Sequence, residues 1–168
     1  MRSFLSFHVK APLEEVLAFA QERTGGTGVY LVPDFPWVSL YHEALEAQED
    51  PKGVRAFLEA LSQLGQALAF LVLAEEDLLF LLAEGGRVRA ELRRGPELGE
   101  ALWGPEDLLP LLQAAQAMPP VSAVQALAAP FGLHPDHAAL GFLDLLEAEE
   151  EEGLPEEVVY LELSLIHI

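Results

Sequence analysis

The stretch "HPDH", residues 134 to 137, sets two imidazoles three positions apart around a carboxylate. On the first turn of a helix His134 and His137 could reach one metal ion, and two imidazoles with Asp136 would suit zinc. No third histidine lies close by, and Pro135-Asp136 reads equally as a plain helix start. The turn Glu75, Glu76, Asp77 offers the hard oxygen ligands that calcium or magnesium takes, without the glycine and spaced carboxylates of a calcium loop. "GGTG" at 25 to 28 is glycine-rich but leaves a helix instead of entering one, and no Lys-Ser/Thr follows it, so a helix stop fits it better than a phosphate cradle. Trp37, Ser39 and Tyr41 alternate along one strand face with Tyr30 and Phe35 just upstream. This is either core packing or an aromatic pocket, and Trp37, Tyr41 and His42 are the ligand-binding candidates. His8 and His42, each on a strand, could meet across a sheet. No Ser-His-Asp order, G-x-S-x-G elbow or H-E-x-x-H string is present, so nothing points to nucleophilic or zinc-hydrolase chemistry. Without cysteine there is no disulfide framework, thiolate nucleophile or Cys-based metal centre. No cofactor is implied.

Charge supplies the remaining candidates. The chain carries 28 acidic and 9 basic residues, a net charge of −19. Residues 1–94 hold every Lys and Arg, while 95–168 hold 14 acids and no basic residue. Nucleic-acid binding needs cations to neutralise phosphates, so a nucleic-acid partner is disfavoured and a basic protein partner fits better. The partner-binding candidates are the acidic run Glu149, Glu150, Glu151, Glu152 and the arginines Arg87, Arg89 and Arg93, which alternation places on one exposed strand face. A solvated helix end and a protected edge strand are the plainer readings of these two features.

These residues need elements to position them. "SFLSFHV" has the two-residue period of a half-buried strand. "APLEEVLAFAQERTGG" follows as a helix with Pro12 and two glutamates at its start. "GVYLV" and "WVSLYH" read as neighbouring strands around a "PDFP" turn. "DPKGVRAFLEALSQLG" gives a second helix with Asp50 as N-cap, Pro51 at the first position and Gly65 as its stop. Three antiparallel strands then occupy 67 to 74, 77 to 83 and 87 to 93, the first apolar throughout and central, with Gly85-Gly86 as a hairpin turn. Helical segments near 105 to 117, 121 to 129 and 136 to 150 follow, and "EEVVYLEL" returns to the sheet as a final strand. The order β-α-β-β-α-β plus a hairpin predicts an α+β fold: a ferredoxin-like antiparallel sheet with packed helices and an α-helical C-terminal portion. The expected division is a sheet domain over 1–94 and a helical portion over 95–162.

The string "PWVSLYHEALEAQED…FLEALSQLGQALAFLVLAEEDLLFLLAEGGRV" resembles a pattern in a family of uncharacterised bacterial proteins. Its features are a Trp-initiated strand ending in Tyr, a helix ending "LS..L", and two apolar strands joined by an acidic turn. The resemblance spans residues 36 to 90 and implies no activity. The tail Leu163–Ile168, "LSLIHI", carries the only isoleucines of the chain and resembles a translated library-adaptor end. On that reading it lies outside fold and site reasoning, and the natural chain continues past Glu162.

A hydrophobic fraction of 51% argues for a folded domain, and the longest apolar runs fall short of the roughly 20 residues a membrane helix needs. The N-terminus has no secretory pattern, so a cytoplasmic location is expected. Arginine over lysine, absent asparagine and 12 prolines would suit a thermophile or simply a GC-rich gene. The functional expectation is a non-catalytic intracellular interaction module, immunity- or antitoxin-like in one version, because acidic small proteins can neutralise basic partners by charge-steered binding. The competing expectation is a small-molecule-binding protein or enzyme with its site between the sheet and the C-terminal helices.

Overall fold

The computed structural model describes residues 2–23, 28–153 and 158–162. Alternating apolar residues form β1 (Phe4–Val9), and α1 (Leu13–Arg23) follows with Val16, Phe19 and Ala20 on its buried stripe. β2 (Gly28–Asp34) and β3 (Trp37–His42) are joined by a tight turn with a cis Phe35–Pro36 peptide. A short helix, α2 (Glu43–Gln48), precedes α3 (Pro51–Leu61). The Asp50 carboxylate accepts the Lys52 amide and Pro51 fills the first turn, where its missing N–H costs nothing. β4 (Ala67–Leu73), β5 (Asp77–Glu84) and β6 (Arg87–Arg94) form a meander. Glu84 pairs with Arg87 across Gly85-Gly86, both at positive φ, which is the mirror-image turn that suits strand twist. β7 (Ala101–Trp103), α4 (Leu109–Gln116), α5 (Pro120–Ala128), a 3-10 turn (Ala129–Phe131), α6 (Pro135–Ala138), α7 (Phe142–Glu151) and β8 (Val159–Glu162) complete the chain.

The strands make one antiparallel sheet in the order β7-β6-β5-β4-β1-β3-β2-β8. Within it, β4-β1-β3-β2 is the strand order of the split βαβ unit, so the fold is α+β with the ferredoxin-like core that the element order predicts. Both faces are covered. On one, Leu5, Phe7, Leu40, Ala69, Leu71 and Leu81 pack under Val16, Phe19, Val54 and Leu58 of α1 and α3. On the other, Phe4, Trp37, Leu68, Phe70 and Phe80 pack under Leu112, Val124, Leu127 and Ala138, and α7 covers Tyr30 and Tyr41 through Phe142 and Leu145. Burial on both sides explains why β4 and β5 are apolar at nearly every position. Each such Leu or Phe contributes on the order of 1.5–3 kcal/mol relative to exposure.

Three local expectations are revised. The register shifts between Leu82 and Ala83, a β-bulge that leaves Arg89 of β6 without an opposite residue. Val88 consequently packs with the α1/α3 face while Ala90 and Leu92 pack on the other, so the alternation drawn through all three breaks at Arg89. β6 is not the sheet edge along its length, because β7 pairs with Glu91–Arg93. The helix expected over 136 to 150 is interrupted at Ala139–Gly141 and forms α6 and α7.

Candidate functional site

The interface between sheet and C-terminal helices is filled by the chain itself. Trp37 Nε1 donates to the Phe131 carbonyl at 3.0 Å, Tyr41 Oη to the His137 carbonyl at 2.6 Å, and Ser6 Oγ to the Ala138 carbonyl at 2.8 Å. His8 lies between, with Nε2 at 2.9 Å from Ser6 Oγ and Nδ1 at 2.6 Å from Ser39 Oγ. Ser6 has spent its proton on Ala138, so it accepts from His8 Nε2–H, and Nδ1 accepts from Ser39. Ser6, His8, Ser39 and Tyr41 are fully buried. Burial holds the His8 pKa well below the usual value, with the His137 charge acting the same way, and pushes the Tyr41 phenol upward. The strip fastens the 131–138 segment to the sheet through neutral donors.

His42 does not join Trp37 and Tyr41. One position further along β3, it faces α3 beside Val38 and Leu40, with its ring 5.3 Å from that of Phe57. Its Nδ1 accepts the Leu45 amide at 3.2 Å and caps α2. Burial lowers its pKa to about 4 against a weaker opposing backbone hydrogen bond. His8 and His42 therefore stand on opposite faces of the sheet and do not meet.

His134 and His137 do come together, with rings stacked 4.9 Å apart. His134 Nδ1 is occupied by the Asp136 amide at 3.1 Å as the cap of α6, and His137 Nδ1 lies 3.4 Å from Asp34 Oδ2. Burial lowers the His137 pKa and outweighs Asp34. Among the described residues no group of three His, Asp or Glu side chains is arranged to hold a metal ion. In the acidic turn Asp77 points inward, where its Oδ2 accepts the Glu97 and Leu98 amides at 2.9 and 2.8 Å and anchors the loop after β6. Of "GGTG", Gly28 opens β2 and 25–27 lie outside the described residues, as do Leu163–Ile168. Glu149 accepts a hydrogen bond from Tyr30, while Glu150, Glu151 and Glu152 are exposed at the end of α7. The bulge parts the arginines. Arg87 and Arg89 are exposed, whereas Arg93 turns toward Glu91, with Nε 3.2 Å from its Oε2.

One feature open to a ligand was only partly among the sequence candidates, through Trp37 and Phe35. A groove of about 480 Å³ runs between the start of α1 and the β2–β3 turn. One wall is Lys10, Ala11, Pro12, Leu13 and Glu14, and the other is Pro33, Phe35, Pro36, Trp37 and Val38. The Lys10 ammonium extends over the buried Trp37 ring, 5.1 Å from its centroid. Phe35 is 97% exposed at the lip. A phenyl ring at the tip of a turn, where a polar residue would cost nothing, was the available sequence signal. Among the described residues, the titratable groups lining the groove are Lys10 and Glu14.

A buried carboxylate was also missed. Glu46 Oε1 accepts the amides of Leu5 at 3.1 Å and Phe142 at 2.9 Å, and Oε2 that of Leu143 at 3.2 Å. It caps α7 from another helix and ties it to β1. Burial raises its pKa, and the three amides pull the other way. A Cβ at Gly141 would stand 2.1 Å from Glu46 Oε1 and 2.8 Å from Phe4 Cβ, so a larger residue there would displace the carboxylate from its amides.

Comparison with family models, with curated proteins and with solved structures finds no match.

Proposed function

We propose that the protein is a non-catalytic interaction module whose groove between α1 and the β2–β3 turn receives an extended, proline-bearing, basic segment of a partner protein. The observation that carries this reading is Phe35, 97% exposed on the lip of an apolar groove. Grooves lined by aromatic rings suit proline-rich segments, which are already extended and lose little entropy on docking. Pro12, Pro33 and Pro36 stiffen the walls. The preference for a basic segment follows from charge: Glu14 is exposed in the groove wall, Asp34 adjoins Phe35, and the chain carries −19 overall. The same field disfavours nucleic acid. Neutralisation of a basic partner is one concrete role for such a surface. A non-catalytic reading is supported by the spent state of the perturbed groups, since His8, Tyr41 and His42 are buried and hydrogen-bonded within the fold.

The test is fluorescence anisotropy of a labelled proline-rich peptide flanked by arginines, at low and high salt. Binding that weakens with salt and falls about tenfold or more in Phe35→Ser is expected. The exposed ring contributes little to the core, so the unfolding midpoint of that variant should be unchanged. Equal binding by the variant, or no binding by the wild type, overturns the reading.

A further inference from the structure

A second cavity, independent of the groove, lies where the first turns of α3 overhang the middle of β5 and β6. It measures about 170 Å³. Leu79 and Leu81 make its floor, Pro51 one wall, and Lys52, Arg55 and Arg93 converge on it, with Glu91 the single acid among the described residues that line it. In a chain with 28 acids and 9 bases, three cations around one acid is a marked local reversal.

Glu91 is already committed. Its Oε1 accepts Arg55 Nη2 at 2.8 Å and Trp103 Nε1 at 3.0 Å, and its Oε2 lies 3.2 Å from Arg93 Nε. Arg93 Nη1 donates to the Leu98 carbonyl at 3.0 Å. These contacts hold both guanidinium groups in place, one carboxylate offsets only one of their two charges, and the Arg55 and Arg93 side chains each retain 38% exposure. Among the described residues the Lys52 ammonium makes no hydrogen bond or ion pair. Asp50, just ahead of it, turns its carboxylate onto the Lys52 amide. The cavity therefore keeps an excess of positive charge, fixed donors and an apolar floor.

We infer that this cavity binds a small organic carboxylate, its oxygens held by Lys52 and Arg55 and its short aliphatic part lying on Leu79 and Leu81. Liquid water takes roughly 30 Å³ per molecule, so the space suits a ligand of about half a dozen heavy atoms. Planar guanidinium donors match a carboxylate fork. The two leucines favour a carboxylate with a hydrocarbon tail over a fully hydrated phosphate.

Butyrate, inorganic phosphate and chloride, titrated at constant ionic strength and pH, separate the alternatives. Butyrate is expected to shift the Leu79 and Leu81 methyl resonances saturably and to raise the melting temperature. In Lys52→Gln, a variant at an exposed position, butyrate affinity should fall about five- to tenfold with stability in the absence of butyrate unchanged. Methyl shifts of equal size with chloride, or undiminished butyrate affinity in the variant, overturn the site. Tighter binding of phosphate than of butyrate overturns the assignment to a carboxylate.

Discussion

His42 shows how one imidazole ties stability to acidity. In the folded chain its pKa is depressed to about 4 by burial, while in the unfolded chain it returns to about 6.5. Above pH 6.5 both states are neutral at this position and its contribution is fully present. As the pH falls from 6.5 toward 4, the unfolded chain takes a proton that the folded chain refuses, so stability is lost at up to about 1.4 kcal/mol per pH unit. His8 and His137, both lowered by burial, act in the same sense. Urea unfolding from pH 7 to 4.5 should show this decline, and His42→Asn, which keeps a capping oxygen but cannot titrate, should make it shallower. An unchanged slope in the variant would remove His42 from the account. Sequence alternation correctly gave Trp37 and Tyr41 a common face, yet their role was illegible. The carbonyls they serve are 94 and 96 positions away, and nothing local in a sequence reports such partners.

At the scale of elements, α7 illustrates dependence on a distant cap. Its first amides are satisfied by Glu46 from α2, and Asp144 accepts the Gly141 amide at 2.9 Å while pairing with Arg2. Glu46→Ala strands three amides and should cost about 3 kcal/mol or more, measured from the urea midpoint, whereas Glu46→Gln, which keeps one acceptor oxygen, should cost less. Elements with strong local signals were legible: α3 through Asp50, Pro51 and its stripe of Val54, Leu58 and Leu61, and the meander through its apolar runs and Gly85-Gly86. α2 and β7 were not, because six and three residues are too short to establish a period. The bulge at Arg89 was hidden for a related reason. Val88, Ala90 and Leu92 satisfy an unbroken alternation, and only pairing with β5 shows that one residue is extra. Of the groove, Trp37 and Phe35 were legible and the Lys10–Glu14 wall was not, because the two turns become neighbours only when β1 pairs with β3.

For the molecule as a whole, charge is the dominant surface property. Arg2–Asp144, Arg55–Glu91 and Arg93–Glu91 are the arginine–carboxylate pairs among the described residues, few against a net −19. Self-repulsion should therefore outweigh attraction, and added sodium chloride at pH 7 should raise the melting temperature by a few degrees. A melting temperature that falls with salt would show that local pairs dominate instead. The strand order has a further consequence during synthesis. The sheet can assemble as soon as β4 leaves the ribosome, because β1, β2 and β3 are already made. Its second face, with Phe70, Trp37 and the Ser6–His8–Ser39–Tyr41 strip, then waits for the 131–138 segment some 60 residues later. At translation rates of 5–20 residues per second that interval is roughly 3–12 s. For that time the nascent chain presents a bare apolar surface, which makes it a natural client for ribosome-associated chaperones.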